Sequence, residues 1–172
     1  MTRVDLARLS DVASGVASGS SFPGTPTTGD LFFHTTYDML FEYDGTRWLC
    51  TCQHTLEFRF DTAIPLTASG GCRAGHPGHG LGLEIWGQKF HCATFVITTN
   101  DGTKYWTYTL DTEGSVLSTI SNAASAVVVE SDDVNAVLSR AAYPWFTVTV
   151  TKVSTPGNCY TPPFLDYRFI GA

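Results

Sequence analysis

The chain has 172 residues, of which 13% are aromatic and only 15% charged, with a formal charge of −6 at pH 7. That length suits one domain with at most a small appendage, and it buries roughly 70% of the unfolded surface, so folding requires neither a metal nor a disulfide. A net-acidic chain with no Lys/Arg cluster argues against a nucleic-acid partner, and no apolar run is long enough to span a membrane.

The first residues, "MTRVDLARLSDV", place Leu6, Leu9 and Val12 three apart, enough for about two helical turns. The segment lacks an uninterrupted apolar core of the signal-peptide kind, which predicts a soluble protein made in a cytoplasm. "ASGVASGSSFPGTPTTGD" follows, dense in Gly, Ser and Pro, and reads as an extended arm or linker over residues 1–29. Residues 30–53 read as a small β-hairpin module. "DLFFHTT" and "MLFEYDG" flank a turn, and "DGT" makes a tight turn before "RWLCTC". A hairpin of this size is marginal alone. Its rings are therefore expected to borrow cover from neighbouring protein, at on the order of 2 kcal/mol per buried ring.

From residue 54 to 172 the pattern is strongly β. In "TLEFRFDT", Leu56, Phe58 and Phe60 alternate with Glu57, Arg59 and Asp61; in "KFHCATFVITT", Phe90 and Cys92 share a face. "NDGT" is a hairpin signal, and "KYWTYTLDT" returns with Trp106, Tyr108 and Leu110 on one side. "WFTVTVTKV" turns Phe146, Val148 and Val150 inward and its threonines outward, and "PPFLDYRFIGA" supplies a last strand. The stretch "SDDVNAVLSRAAYP" is predicted as one short helix, capped by Ser131 or Asp132, with Val134, Val137 and Leu138 on a common face. The fold class predicted is all-β: an antiparallel β-sandwich or jelly roll of roughly eight strands, preceded by the arm and the hairpin module.

The residue types present admit four kinds of chemistry. Cys50, Cys52 and His54 stand at i, i+2 and i+4 and would share one face of a strand, with Cys72, His76, His79, His91 and Cys92 elsewhere. The spacing matches no common zinc module, and an odd total of five cysteines reads better as buried free thiols. No metal or other cofactor is therefore expected. Glu57 and Glu84 lie in strands and would be the pair for glycoside hydrolysis, but Glu57 alternates with other charges as a solvated face does. There is no G-x-S-x-G elbow and no phosphate-binding loop. Among the aromatics that would stack on sugar rings if exposed (Trp86, Tyr105, Trp106, Tyr108 and Trp145), Tyr105, Trp106 and Tyr108 are the first candidates, set against the core reading of inward-facing tryptophans.

Two runs, "P-T-T-G-D-L-F" and then "T-T-Y-D-M-L-F-E-Y-D-G-T-R-W", carry a resemblance. The segment from about residue 18 to 50 resembles one common in tailed-bacteriophage virion proteins, especially tail-fibre and head-decoration proteins, and "AVLSRAAYPWFTVTVTKVSTPGNCYTPP" resembles viral β-sandwich proteins more weakly. The resemblance implies a non-enzymatic virion protein, made in the host cytoplasm and often homotrimeric. Its partners would be copies of itself, other virion proteins such as the major capsid protein or tail proteins, and a host-surface glycan. The chain lacks a collagen-like or coiled-coil shaft, which favours a short capsid-decoration or head-fibre protein over a long tail fibre. The assembly surface expected on this reading comprises Leu6, Leu9, Phe22, Phe32, Phe33, Phe41, Tyr43 and Trp48. The alternative is a carbohydrate- or receptor-binding β-sandwich module.

Overall fold

In the computed structural model, residues 15–60, 69–92, 102–112, 114–121, 130–157 and 162–171 are described. The expected N-terminal helix with Leu6 and Leu9, and most of the "NDGT" hairpin, lie outside these residues. The chain divides into two compact units, Met1–Cys52 with Phe169–Ala172, and Gln53–Arg168. Among the described residues no helix is long and apolar enough to cross a membrane.

The first unit is built from β1 (Ala17–Gly19), β2 (Leu31–His34), β3 (Met39–Tyr43) and β4 (Trp48–Cys50), hydrogen-bonded in that order. The β1–β2 pairing is parallel and the others are antiparallel. The last strand of the chain, β12 (Pro163–Gly171), returns to this unit at its end, where Ile170 and Gly171 pair with Leu49 and Trp48. Turn chemistry accounts for the motif residues. The Asp30 carboxylate accepts the Thr27 N–H at 2.8 Å, and Gly29 supplies a left-handed φ of 91°. Asp44 Oδ1 accepts the N–H groups of Thr46 and Arg47 at 2.7 and 2.8 Å around Gly45, φ 98°. Both are aspartate-anchored turns in which glycine takes a conformation that a side chain disfavours.

The arm is not separate from the hairpin. It carries β1, and its Phe22 lies among rings of the hairpin: 4.9 Å from Phe41 edge-on, 5.5 Å from Trp48 stacked, 5.6 Å from Phe32 and 4.8 Å from His34. This corrects the expectation that these rings need a neighbouring chain. Phe32, Phe41 and Trp48 are buried within the single chain, because the arm folds back as a lid. Phe33 and Tyr43 are half-buried, and Leu31 is exposed.

The second unit is a β-sandwich. One sheet contains β10 (Glu130–Leu138), β7 (Glu84–Cys92) and β12 in adjacent positions, with β5 (His54–Glu57) also paired to β12. The other has the order β6 (Gly70–Gly75), β11 (Trp145–Val153), β8 (Tyr105–Thr112), β9 (Ser115–Ser121). The inward rows are those the alternation predicts: Trp106, Tyr108 and Leu110 on β8, Phe146, Val148 and Val150 on β11, and Phe90 and Cys92 on β7 are all buried. Thr147, Thr149 and Thr151 take the opposite side of β11. The four described cysteines, Cys50, Cys52, Cys72 and Cys92, are free thiols.

The predicted helix at "SDDVNAVL" is instead strand β10, antiparallel to β7. Val134 and Leu138 both lie against Gly87, at 3.2 and 2.9 Å from where a Cβ there would sit. They belong to an inner row with Ala136, whereas Val137 is 44% exposed on the other side. The i, i+3, i+4 spacing is thus made of residues from both faces of a strand. Pairing to β7 decides the conformation over local propensity.

An added methyl at Gly171 would overlap the Phe22 ring. Gly171→Ala is therefore expected to push Phe22 out and destabilise the N-terminal unit by about 1–3 kcal/mol. The measurement is amide hydrogen exchange across β2, β3 and β4; unchanged protection there would show that Phe22 does not hold the unit together.

Candidate functional site

The residues first considered for chemistry do not assemble. Cys50 is buried at the end of β4, the chain bends at Thr51 and Cys52, and Cys52 is exposed. The i, i+2, i+4 relation therefore does not run along one strand. His54 stacks on Tyr167 with ring centres 5.4 Å apart, and among the described residues no three His, Cys, Asp or Glu side chains gather into a metal-sized group. His76 is a buried structural residue. Its Nδ1 accepts the Gly78 N–H at 3.0 Å and its Nε2 lies 2.8 Å from the Leu138 carbonyl, which fixes the neutral tautomer with the proton on Nε2.

Glu57 and Glu84 are not a catalytic pair. Glu57 faces Phe164 across β5–β12 and accepts a hydrogen bond from Arg59 at 3.1 Å. Phe164 stacks on His91, while Glu84 stands seven positions from His91 along β7. At roughly 3.3 Å per residue that separation is about 23 Å.

Two of the three ring-stacking candidates are corrected to core. Trp106 and Tyr108 are fully buried, and Trp106 Nε1 donates to the Gly157 carbonyl at 2.8 Å. An inward-facing strand position covers the ring on both sides, so no sugar reaches it. Tyr105 is half-buried on the opposite face of β8. Trp145 is 45% exposed, but the Arg73 guanidinium sits over its ring at 5.0 Å.

Trp86 is placed differently. It lies half-buried on the outer side of β7 and lines an open cleft of about 400 Å³. Gln88, Lys89, Asp133, Asn135 and Asp166 line it too, with Gln53 at its margin. An irregularity in the β7–β10 ladder builds this cleft. Asp133 pairs with Lys89 but Ala136 with Gly87, so Val134 and Asn135 together face the single residue Gln88. Such a bulge kinks the strand and re-aims side chains. Asn135 takes a left-handed φ of 42° there, a conformation that asparagine adopts more readily than most residues. On β7 the buried positions run Ile85, Gly87 and then Phe90, Cys92, which leaves Gln88 and Lys89, neighbours in sequence, both lining the cleft.

The charges in the cleft are matched internally. Lys89 Nζ lies 3.7 Å from Asp133 Oδ1. Asp166 Oδ1 accepts the Thr55 hydroxyl at 2.7 Å, and its Oδ2 lies 3.1 Å from His91 Nε2, off the line of a hydrogen bond but within ion-pair range of a protonated ring. Asp166 is thereby held rigidly at one wall. Beneath it, burial raises the Tyr167 hydroxyl above its ordinary pKa.

Sequence reasoning considered Trp86 and passed over the polar residues around it. The signal lay in "EIWGQK" and "DDVN", whose outward positions are amide- and carboxylate-rich; the helical reading of the second stretch hid its part. Compared with models of protein families and with curated protein sequences, the chain matches none.

Two outcomes follow from this geometry. Asn135→Val is expected to cost about 1–2 kcal/mol by forcing a β-branched residue into the left-handed region, whereas Asn135→Gly changes thermal stability little; equal losses in the two variants would refute the backbone account. The raised Tyr167 pKa means its contribution is complete below the unfolded value of about 10 and is lost as pH rises through the higher folded value. Tyr167→Phe is accordingly expected to flatten the alkaline fall in melting temperature, measured by calorimetry from about pH 8 to about pH 11.

Proposed function

We propose that this chain is a non-enzymatic surface protein of a bacteriophage virion, of the capsid-decoration or head-fibre kind. The N-terminal unit attaches it to the particle and to sister copies, and the β-sandwich is displayed. The observation that supports this reading is a coincidence of boundaries. The segment resembling phage virion proteins, residues 18–50, falls inside one compact unit that runs to Cys52. An attachment module shared among otherwise different proteins has to carry its own core, and Phe22, Phe32, Phe41 and Trp48 supply one. With Phe32, Phe41 and Trp48 committed to the interior, attachment falls to the outer residues of the same unit, whose apolar members include Leu31, Phe33, Leu40 and Tyr43.

The test is location. Antibodies against the purified chain, gold-labelled and applied to gradient-purified particles from the source culture, are expected to decorate the particle surface. Phe33→Asp is expected to lower the particle-bound fraction severalfold. Finding the chain only in the soluble fraction, with none on particles, would remove the virion role. A second reading, a receptor-binding module, is favoured by the cleft beside Trp86 and applies to the displayed sandwich.

A further inference from the structure

We propose that the cleft at the β7–β10 bulge is a binding subsite for neutral pyranose sugars, with Trp86 as the stacking platform. This deepens the receptor-binding reading of the sandwich and rests on it.

The chemistry of the lining selects the ligand class. At about 400 Å³ the cleft falls in the size range of small-molecule sites, about 300–1,000 Å³. Such sites are mostly apolar, and this one is mostly polar, which disfavours an apolar ligand and suits one that carries many hydroxyls. A pyranose has two distinct sides: an apolar face of C–H groups, and a rim of hydroxyls that each donate and accept. Trp86 offers a broad ring for the first, and its cross-strand partner Val137, 44% exposed, extends the apolar strip on the same side. Gln88 and Asn135 offer amides, each able to donate and accept, for the second, and Asp166 is fixed in place by Thr55 to accept.

Charge narrows the class further. Lys89 faces Asp133, and Asp166 faces His91. A phosphate or an acidic sugar meets two carboxylates against one lysine already engaged, so a neutral sugar fits and an anion does not. The bulge also sets where Asn135 stands. Asn135 owes its position to a backbone conformation that most residues avoid, which is the kind of local strain that marks ligand sites.

The test is titration of the full chain by NMR and calorimetry with maltotriose, cellotriose, N-acetylchitotriose and β-1,4-galactotriose, with sorbitol and glucuronate as controls. At least one neutral trisaccharide is expected to bind saturably, shifting amides of Trp86, Gln88 and Asn135, with an affinity insensitive to salt between about 50 and about 500 mM. Trp86→Ala is expected to weaken binding at least tenfold, and Trp86→Phe to weaken it less. Asn135→Gly, which keeps the backbone and removes the amide, weakens it severalfold, and Trp145→Ala leaves it unchanged. The proposal is overturned if no neutral probe binds by about 10 mM, if the shifts map elsewhere, or if glucuronate alone binds. Should Trp86→Ala fail to fold, the wild-type shift map and Trp86→Phe decide. Failure here with the chain still found on particles removes the sugar site alone; sugar binding by a chain absent from particles removes the virion role alone.

Discussion

Phe22 occupies a space that exists only because position 171 carries no side chain, and the N-terminal unit is organised around that fit. A two- or three-stranded ribbon has one face to bury and nothing to bury it against. Here the missing layer is a single ring delivered by an irregular arm, within about 4.8–5.6 Å of four other rings. Ordering a Gly/Ser/Pro-rich arm costs conformational entropy, and partial burial of Phe22 together with the parallel pairing of Ala17–Gly19 onto Phe32–His34 offsets it. The functional consequence is a change in what the rings do. They hold the unit closed and are not waiting for a partner, so any attachment surface lies on the outside of the unit.

Much of the architecture was legible because period-2 alternation is a direct signal when one face of a strand is buried. Phe90 and Cys92, Trp106, Tyr108 and Leu110, and Phe146, Val148 and Val150 all point where the pattern puts them. The aspartate–glycine turns at Gly29 and Gly45 follow from residue type in the same way. Three features escaped for three physical reasons. β6, "GGCRAG", has almost no side chains to form a pattern, and its strand state comes from pairing with β11. In β10, Val134, Val137 and Leu138 happen to fall at helical spacing while belonging to opposite sides of a strand. The lid role of Phe22 is a long-range contact with the far end of the chain, which local pattern does not encode.

The site was less legible than the fold. Trp86 stands out by type, but its value depends on neighbours brought together from β7, β10 and β12 and on a bulge whose insertion point no sequence motif announces. Opposite the bulge the alternation of β7 also breaks, so polar residues adjacent in sequence, Gln88 and Lys89, serve one surface. A regular ladder would have turned one of them toward the core, where an unpaired amide or ammonium is costly. The irregularity and the polar cleft are therefore two aspects of one solution.

The return of Ile170 and Gly171 to the side of Leu49 and Trp48 also sets an order of events during synthesis. The ribosome delivers the first unit's opening strands well before the strand end that completes it, with all of Gln53–Arg168 made in between. At about 5–20 residues per second that interval is on the order of ten seconds. Throughout it the free edge of β4 and the seat beneath Phe22 stay open to water and to other nascent chains. Slow translation or a crowded polysome would lengthen the window in which β4 can recruit a foreign strand, making the yield of well-formed molecules a matter of timing as well as of stability.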